Sequence, residues 1–234
     1  MEPRALTGGA RLLVLPDAAL AAVAAAEAIA RALLASLKER GRFSLALSGG
    51  STPGPMFEAL ARAELAWQHV DVFQVDERVV PSTDAARNAR QLEAALLSHV
   101  SIPRSQIHLI PVESAGVVRD YAQTLEGVVG SPAVLDVVHL GLGDDGHTAS
   151  LVPGDPALEV SDADVAAVAP YKGHARVTLT LPVLNRARQL VWLVCGASKQ
   201  SALAQLIEGR SAAPAGRVAR ERALIVADRA ALPS

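Results

Sequence analysis

The stretch Val134-Leu-Asp-Val-Val-His-Leu-Gly-Leu-Gly-Asp-Asp-Gly-His147 decides the fold. Its first seven residues are apolar nearly throughout, which suits a strand covered on both faces. A glycine-lined loop follows at once and ends on a histidine. Similar apolar runs recur at Arg11–Leu15, Phe43–Leu47 and residues 70–75, 177–181 and 190–195, with helix-like segments between most of them. Helices are expected at residues 17–39, 55–63, 88–97, 113–128 and 198–207. Strands alternating with crossover helices mark an α/β fold, and strands buried on both faces imply an open, doubly wound, mostly parallel sheet with helices on both faces. No linker, low-complexity tract or repeat divides the chain, so residues 1–234 read as one α/β domain. The Pro/Gly cluster at residues 212–216 reads as a surface loop.

In such a sheet the ligand lies beyond the carboxyl ends of the strands, so the residues that follow each apolar run carry the functional signal. After Phe43–Leu47 come Ser48, Gly49, Gly50, Ser51 and Thr52, then Gly54-Pro55 at a helix start. Two glycines and a helix N-terminus form a good cradle for a phosphate. Pro55-Met56 stands where a nucleotide-binding P-loop needs Lys and Ser/Thr, so a nucleoside triphosphate is not expected. After residues 70–75 come Asp76, Glu77 and Arg78. Arg78 can clamp phosphate oxygens, while Asp76 or Glu77 can orient it or bind sugar hydroxyls. Arg176 begins another run. Lys199, one of only three lysines against nineteen arginines, sits at a strand-to-helix junction.

The loop at residues 141–146 formally contains Gly-x-Gly-x-x-Gly. Asp144 and Asp145 would repel a pyrophosphate, and Pro153 comes too soon for the long helix that a dinucleotide site requires. What remains is a loop, with Gly143 inside it, that presents His147 with Asp145 two residues earlier. Histidine titrates near neutrality and can take a proton from water and return it to a leaving oxygen. Asp145 can fix the tautomer.

Bulk properties narrow the classes. Twenty-two basic and 24 acidic residues are mixed throughout, for a net charge of −2, which disfavours a nucleic-acid partner. Cys195 is the lone cysteine and ends an apolar run, so no internal disulfide is possible and a reducing compartment fits. Residues 18–37 are the most membrane-like, but Glu27 and Arg31 interrupt them and a packed helix is expected. Met-Glu-Pro-Arg at the start lacks a signal pattern, so a cytoplasmic protein with no membrane partner is expected. There is no His-Glu-x-x-His, cysteine pair or Asp-x-Asp-x-Asp run, so no metal site is indicated. A Gly-x-Ser-x-Gly nucleophile elbow is also missing.

Four segments in order, Leu47-Ser-Gly-Gly-Ser-Thr-Pro53, Val75-Asp-Glu-Arg-Val-Val-Pro81, Gly141-Leu-Gly-Asp-Asp-Gly-His-Thr-Ala-Ser-Leu151 and Arg176-Val-Thr-Leu-Thr180, resemble the signature segments of the 6-phosphogluconolactonases. The resemblance runs from about Leu12 to beyond Ile207. It implies a Rossmann-like fold related to glucosamine-6-phosphate deaminases and ribose-5-phosphate isomerases. It also implies hydrolysis of 6-phospho-D-glucono-1,5-lactone to 6-phosphogluconate, the second step of the oxidative pentose phosphate pathway, with no cofactor. On this likeness His147 is the acid and base, and Arg78, Arg176 and Lys199 hold the substrate phosphate beside Ser48–Thr52. Two positions depart from the pattern: Val152 replaces a frequent Phe, and Tyr171-Lys-Gly-His-Ala175 replaces a proline-richer approach.

Glucosamine-6-phosphate deaminases share the Asp-Gly-His core, but they carry a carboxylate five residues after the histidine, where this chain has Val152. The acid needed for ring opening is therefore missing, and the lactonase is favoured. A non-catalytic sugar-phosphate sensor is the third reading; it would usually carry an attached module, and both the histidine and the basic residues are kept here. The sequence leaves the oligomeric state open, with a monomer slightly favoured.

Overall fold

The apolar runs form the strands of a central sheet, and the computed structural model describes residues 2–209 and 213–233. In chain order the first half contains β1 (Arg4–Ala5), β2 (Arg11–Leu15), α1 (Ala18–Arg40), β3 (Phe43–Leu47), α2 (Gly54–Arg62), β4 (Val70–Gln74), β5 (Asp76–Arg78) and α3 (Asn88–Ala95). Then come β6 (Ile107–His108), α4 (Val117–Val129), β7 (Val137–Leu140), β8 (Val165–Tyr171) and β9 (His174–Leu179). The last elements are α5 (Leu181–Arg186), β10 (Gln189–Val194), α6 (Gln200–Glu208) and β11 (Ala223–Asp228).

Eight strands lie in the order β1-β2-β11-β10-β7-β3-β4-β6, parallel except at β1. Alternate residues feed two cores. Leu45, Val137, Val191 and Val226 face α1, α2 and α3, whereas Ala46, Val138, Trp192 and Ile225 face α4, α5 and α6. Fully burying apolar side chains of the larger sizes contributes about 1.5–3 kcal/mol each. The sheet thus has helices on both faces, as the doubly apolar runs implied.

Helix α1 is long and apolar enough to cross a membrane by length and composition. Here Ala21, Ala25, Ile29 and Leu33 are wholly buried in the core, and Glu27 pairs with Arg31 at 3.5 Å on the outer side. Asp17 caps its first turn by accepting from the Leu20 amide at 2.8 Å.

Three expectations need correction. The run at residues 177–181 is not a strand of the main sheet. It belongs to β9, which pairs with β5 and β8 in a separate three-stranded antiparallel sheet, and Leu181 already begins α5. The chain leaves the main sheet at Val75, whose amide still bonds to Leu47 O while its carbonyl accepts from Leu179. Second, residues 213–216 are not a surface loop: Pro214 and Ala215 are buried and the Ala215 amide bonds to Gly146 O; residue 212 lies outside the described residues. Third, β11 is an internal strand between β2 and β10, although its run was not among those expected.

Strands β3 and β7 are neighbours, but β3 leads by way of α2 to β4 on one side and β7 leads eventually to β10 on the other. The loops that leave them therefore diverge, and the crevice between is the topological switch point where α/β sheets bind ligands.

Candidate active site

An open cavity of ≈ 250 Å³ occupies this crevice. Ser48, Gly49, Gly50, Ser51 and Thr52 line it from the loop after β3, and Gly143 and His147 from the loop after β7. Asp76, Arg78, Arg176 and Lys199 complete the wall. Of the residues singled out in the sequence, Asp145 and Glu77 do not line the cavity, and Asp145 sits behind His147.

That position defines its work. Asp145 Oδ1 lies 2.5 Å from His147 Nδ1 and also accepts from the His147 amide at 3.1 Å. With Nδ1–H donated to the carboxylate, Nε2 carries the lone pair toward the cavity. Partial burial works against the charge on Asp145, but bonds from the Tyr171 hydroxyl and His147 outweigh it and bring the carboxyl to about 2. Asp145 is therefore an anion throughout the neutral range.

Gly143 owes its place to the histidine. A Cβ there would stand 2.0 Å from His147 Nδ1, so only glycine admits the ring. Its amide is not free for a ligand, since it donates to His147 O at 2.8 Å, and the Gly146 amide donates to Gly143 O. In the other glycine loop the Gly50 amide is bound to Gln91 Oε1 at 2.9 Å. Among the described residues, the amides of Gly49 and Ser51 face no protein acceptor. Ala149, on the cavity wall, holds a left-handed φ of 53°, a strained state for a residue with a Cβ.

Arg78 and Arg176 are direct cross-strand partners on β5 and β9. Like charges opposite one another are destabilising unless something lies between or beside them to balance the charge. Arg176 is buried, with Asp76 Oδ2 at 3.9 Å and Ser150 Oγ at 3.4 Å. Asp76 is itself committed inward: Ser150 Oγ donates to its Oδ2 at 2.5 Å, and burial raises its carboxyl above the ordinary value. Glu77 takes no part in the wall. Its oxygens accept from the amides of Asn88 and Ala89 at 2.8 Å each, capping α3, and Arg87 Nε stands 3.2 Å away. Of the two carboxylates expected either to orient Arg78 or to bind sugar hydroxyls, Glu77 is wholly buried at that helix end, which rules out the sugar contact for it, and it meets Arg78 only through the Arg78 amide, at 2.8 Å.

Several wall residues escaped the sequence reading. Asn88 accepts from Arg78 Nη1 at 3.0 Å and aims the guanidinium; a Cβ on Gly49 would collide with it. No local pattern marks Asn88, although a polar residue at a helix start is a weak hint. His139 lines the cavity from β7 with neither ring nitrogen partnered among the described residues. Burial pushes it down to about 3, so it is neutral. Lys172, unassigned from sequence, also reaches the wall and stands 3.9 Å from Asp144.

A sequence profile described as Glucosamine-6-phosphate isomerases/6-phosphogluconolactonase matches residues 16–226. A Synechocystis protein named 6-phosphogluconolactonase is 45% identical over 179 residues, covering 73% of this chain and 74% of the relative. One of the same name from Mycobacterium tuberculosis is 34% identical over 241 residues, covering 94% and 98%. The crystal structure of 6-phosphogluconolactonase from Thermotoga maritima superposes with a TM-score of 0.85 at 26% identity, covering 93% of this chain and 99% of that one. Position 152, where the deaminase reading needs a carboxylate, is a valine packed into the core. The profile span, the identities and the shared fold agree: the chain belongs to the glucosamine-6-phosphate isomerase/6-phosphogluconolactonase family.

Proposed function

We propose that the chain hydrolyses 6-phospho-D-glucono-1,5-lactone to 6-phosphogluconate in the cytoplasm, the second step of the oxidative pentose phosphate pathway. The observation that carries this reading is that a carboxylate-backed imidazole shares one cavity with Arg78, Arg176 and Lys199. The cations take the substrate phosphate, and the unpaired amides of Gly49 and Ser51 add donors for it. His147 Nε2 removes a proton from water as the water oxygen bonds to C1. The tetrahedral intermediate then expels the ring oxygen, which receives that proton from the imidazolium, leaving a free hydroxyl and a carboxylic acid that ionises by releasing its remaining proton to solvent. The lactone is already reactive toward water, so positioning plus an acid–base group worth about 10²–10⁴-fold is sufficient.

The reaction is tested by acid release from fresh 6-phosphogluconolactone beside ammonia release from glucosamine 6-phosphate. Acid without ammonia is expected; ammonia, or binding with neither product, overturns the reading. Arg78→Ala tests the phosphate end. Loss of one charge-assisted contact of about 1.5–3 kcal/mol should raise KM roughly 10- to 100-fold with little change in kcat. An unaltered KM removes Arg78 from the site.

A further inference from the structure

The hairpin joining β8 to β9 turns through Lys172 and Gly173, both at positive φ (49° and 85°), between the paired residues Tyr171 and His174. Two consecutive left-handed residues make the tight turn that suits the strand twist. The turn throws the Tyr171 side chain across the loop after β7. Its hydroxyl donates to Asp145 Oδ2 at 2.7 Å, and its ring meets His147 edge-on, with centroids 5.4 Å apart and planes at 68°. This is the segment where the family likeness led one to expect prolines, which offer neither a hydroxyl nor a ring edge.

A carboxylate held at one oxygen still swings about its Cβ–Cγ bond, and the imidazole that depends on it swings too. Asp145 is held at both: His147 takes Oδ1 and Tyr171 takes Oδ2. We propose that Tyr171 is a positioning residue for the His147–Asp145 pair, its hydroxyl fixing the carboxylate and its ring edge the imidazole, so that the hairpin tip sets the aim of the base. This rests on His147 being the base. Burial and the Asp145 carboxylate hold the Tyr171 phenol above its ordinary value, so it is a constant donor at neutral pH. The tip is tied down by Lys172 Nζ at 3.9 Å from Asp144 and by Arg176, whose guanidinium carbon lies 5.4 Å from the Tyr171 ring centre. Asp76, Arg78 and Lys199 are the other charged side chains that line the cavity.

Tyr171→Phe keeps the ring and deletes the donor. The expected result is a roughly tenfold loss of kcat with KM within about twofold, because the phosphate grip is untouched. Without the phenol the full carboxylate charge faces the imidazole and favours its protonated form. The acidic limb of the kcat/KM profile, followed between about pH 5 and 8, therefore moves to higher pH. In an Asp145→Asn background the same change should alter kcat by less than about twofold, since the shared partner is gone. An NMR titration of the His147 ring proton reads the coupling without any turnover, with an upward move expected in Tyr171→Phe. If that move occurs in a protein with no lactonase activity, the coupling stands and the proposed reaction falls. A folded Tyr171→Phe protein with unchanged kcat, pH profile and ring titration overturns the proposal.

Discussion

His147→Ala is expected to lose roughly 10²–10⁴-fold in kcat while phosphate-ligand binding stays within about twofold. The reason is a division of labour across the cavity. On the proposed mechanism the ring supplies the proton transfers at C1, and Arg78, Arg176 and Lys199 take hold of the other end of the same small molecule. The ring is partly exposed on the wall of an open cavity, so its removal leaves no large enclosed void and the fold should persist. What it strands is Asp145, which keeps the Tyr171 hydroxyl as a partner. The check is turnover against affinity for 6-phosphogluconate, the first by acid release and the second by calorimetry. Full turnover in the variant would remove His147 from the chemistry. A parallel collapse of affinity would mean that the ring had been assigned to the wrong end of the ligand.

The legible parts of this chain are those whose evidence is local. Residues 43–47 and 137–140 announce strands because both faces are buried and neither alternates, and the glycine loops after them announce the site because ligands gather at strand ends. The reading failed where only the tertiary partner gives meaning. Val177-Thr-Leu-Thr is as apolar as a main-sheet strand, yet its partners are Glu77 and Ala167 in a side sheet, and nothing in the run says so. The opposite placement of Arg78 and Arg176 follows from that pairing, so the two proposed phosphate-binding arginines could be named from the sequence but not paired. Glu77 and Asp76 are adjacent and chemically similar, and only burial beneath α3 separates a helix cap from a wall residue. Tyr171 works across 26 residues of sequence. No spacing rule covers such a contact.

Gly143→Ala is the sharper test of the same geometry, because it adds one methyl group and removes no functional atom. That methyl would stand 2.0 Å from His147 Nδ1, 2.3 Å from Cε1 and 2.6 Å from Asp145 Oδ1. Carbon atoms do not approach ring atoms that closely, so something must move. One route swings the imidazole away, which breaks its bond to Asp145 and carries Nε2 off the line to C1. The other shifts the backbone, which stretches the bond from the Gly143 amide to His147 O. A misplacement of about 1 Å can cost 10²-fold in rate, and either route exceeds what the ring can absorb in place. Turnover should therefore fall at least about 10²-fold, while binding of 6-phosphogluconate stays within about twofold. Gly127→Ala in α4 is the control. Its added Cβ meets nothing within 4 Å, and relief of glycine's backbone entropy should stabilise the helix by about 0.5–1 kcal/mol with activity intact. The decisive comparison adds Gly143→Ala to His147→Ala. With the ring gone the methyl has room against the side it would have struck, so the second change should cost less than about threefold, a strong departure from additivity. If the two losses multiply instead, the glycine serves some purpose other than seating the histidine. If Gly143→Ala alone turns over normally, the ring is not held against that loop during catalysis.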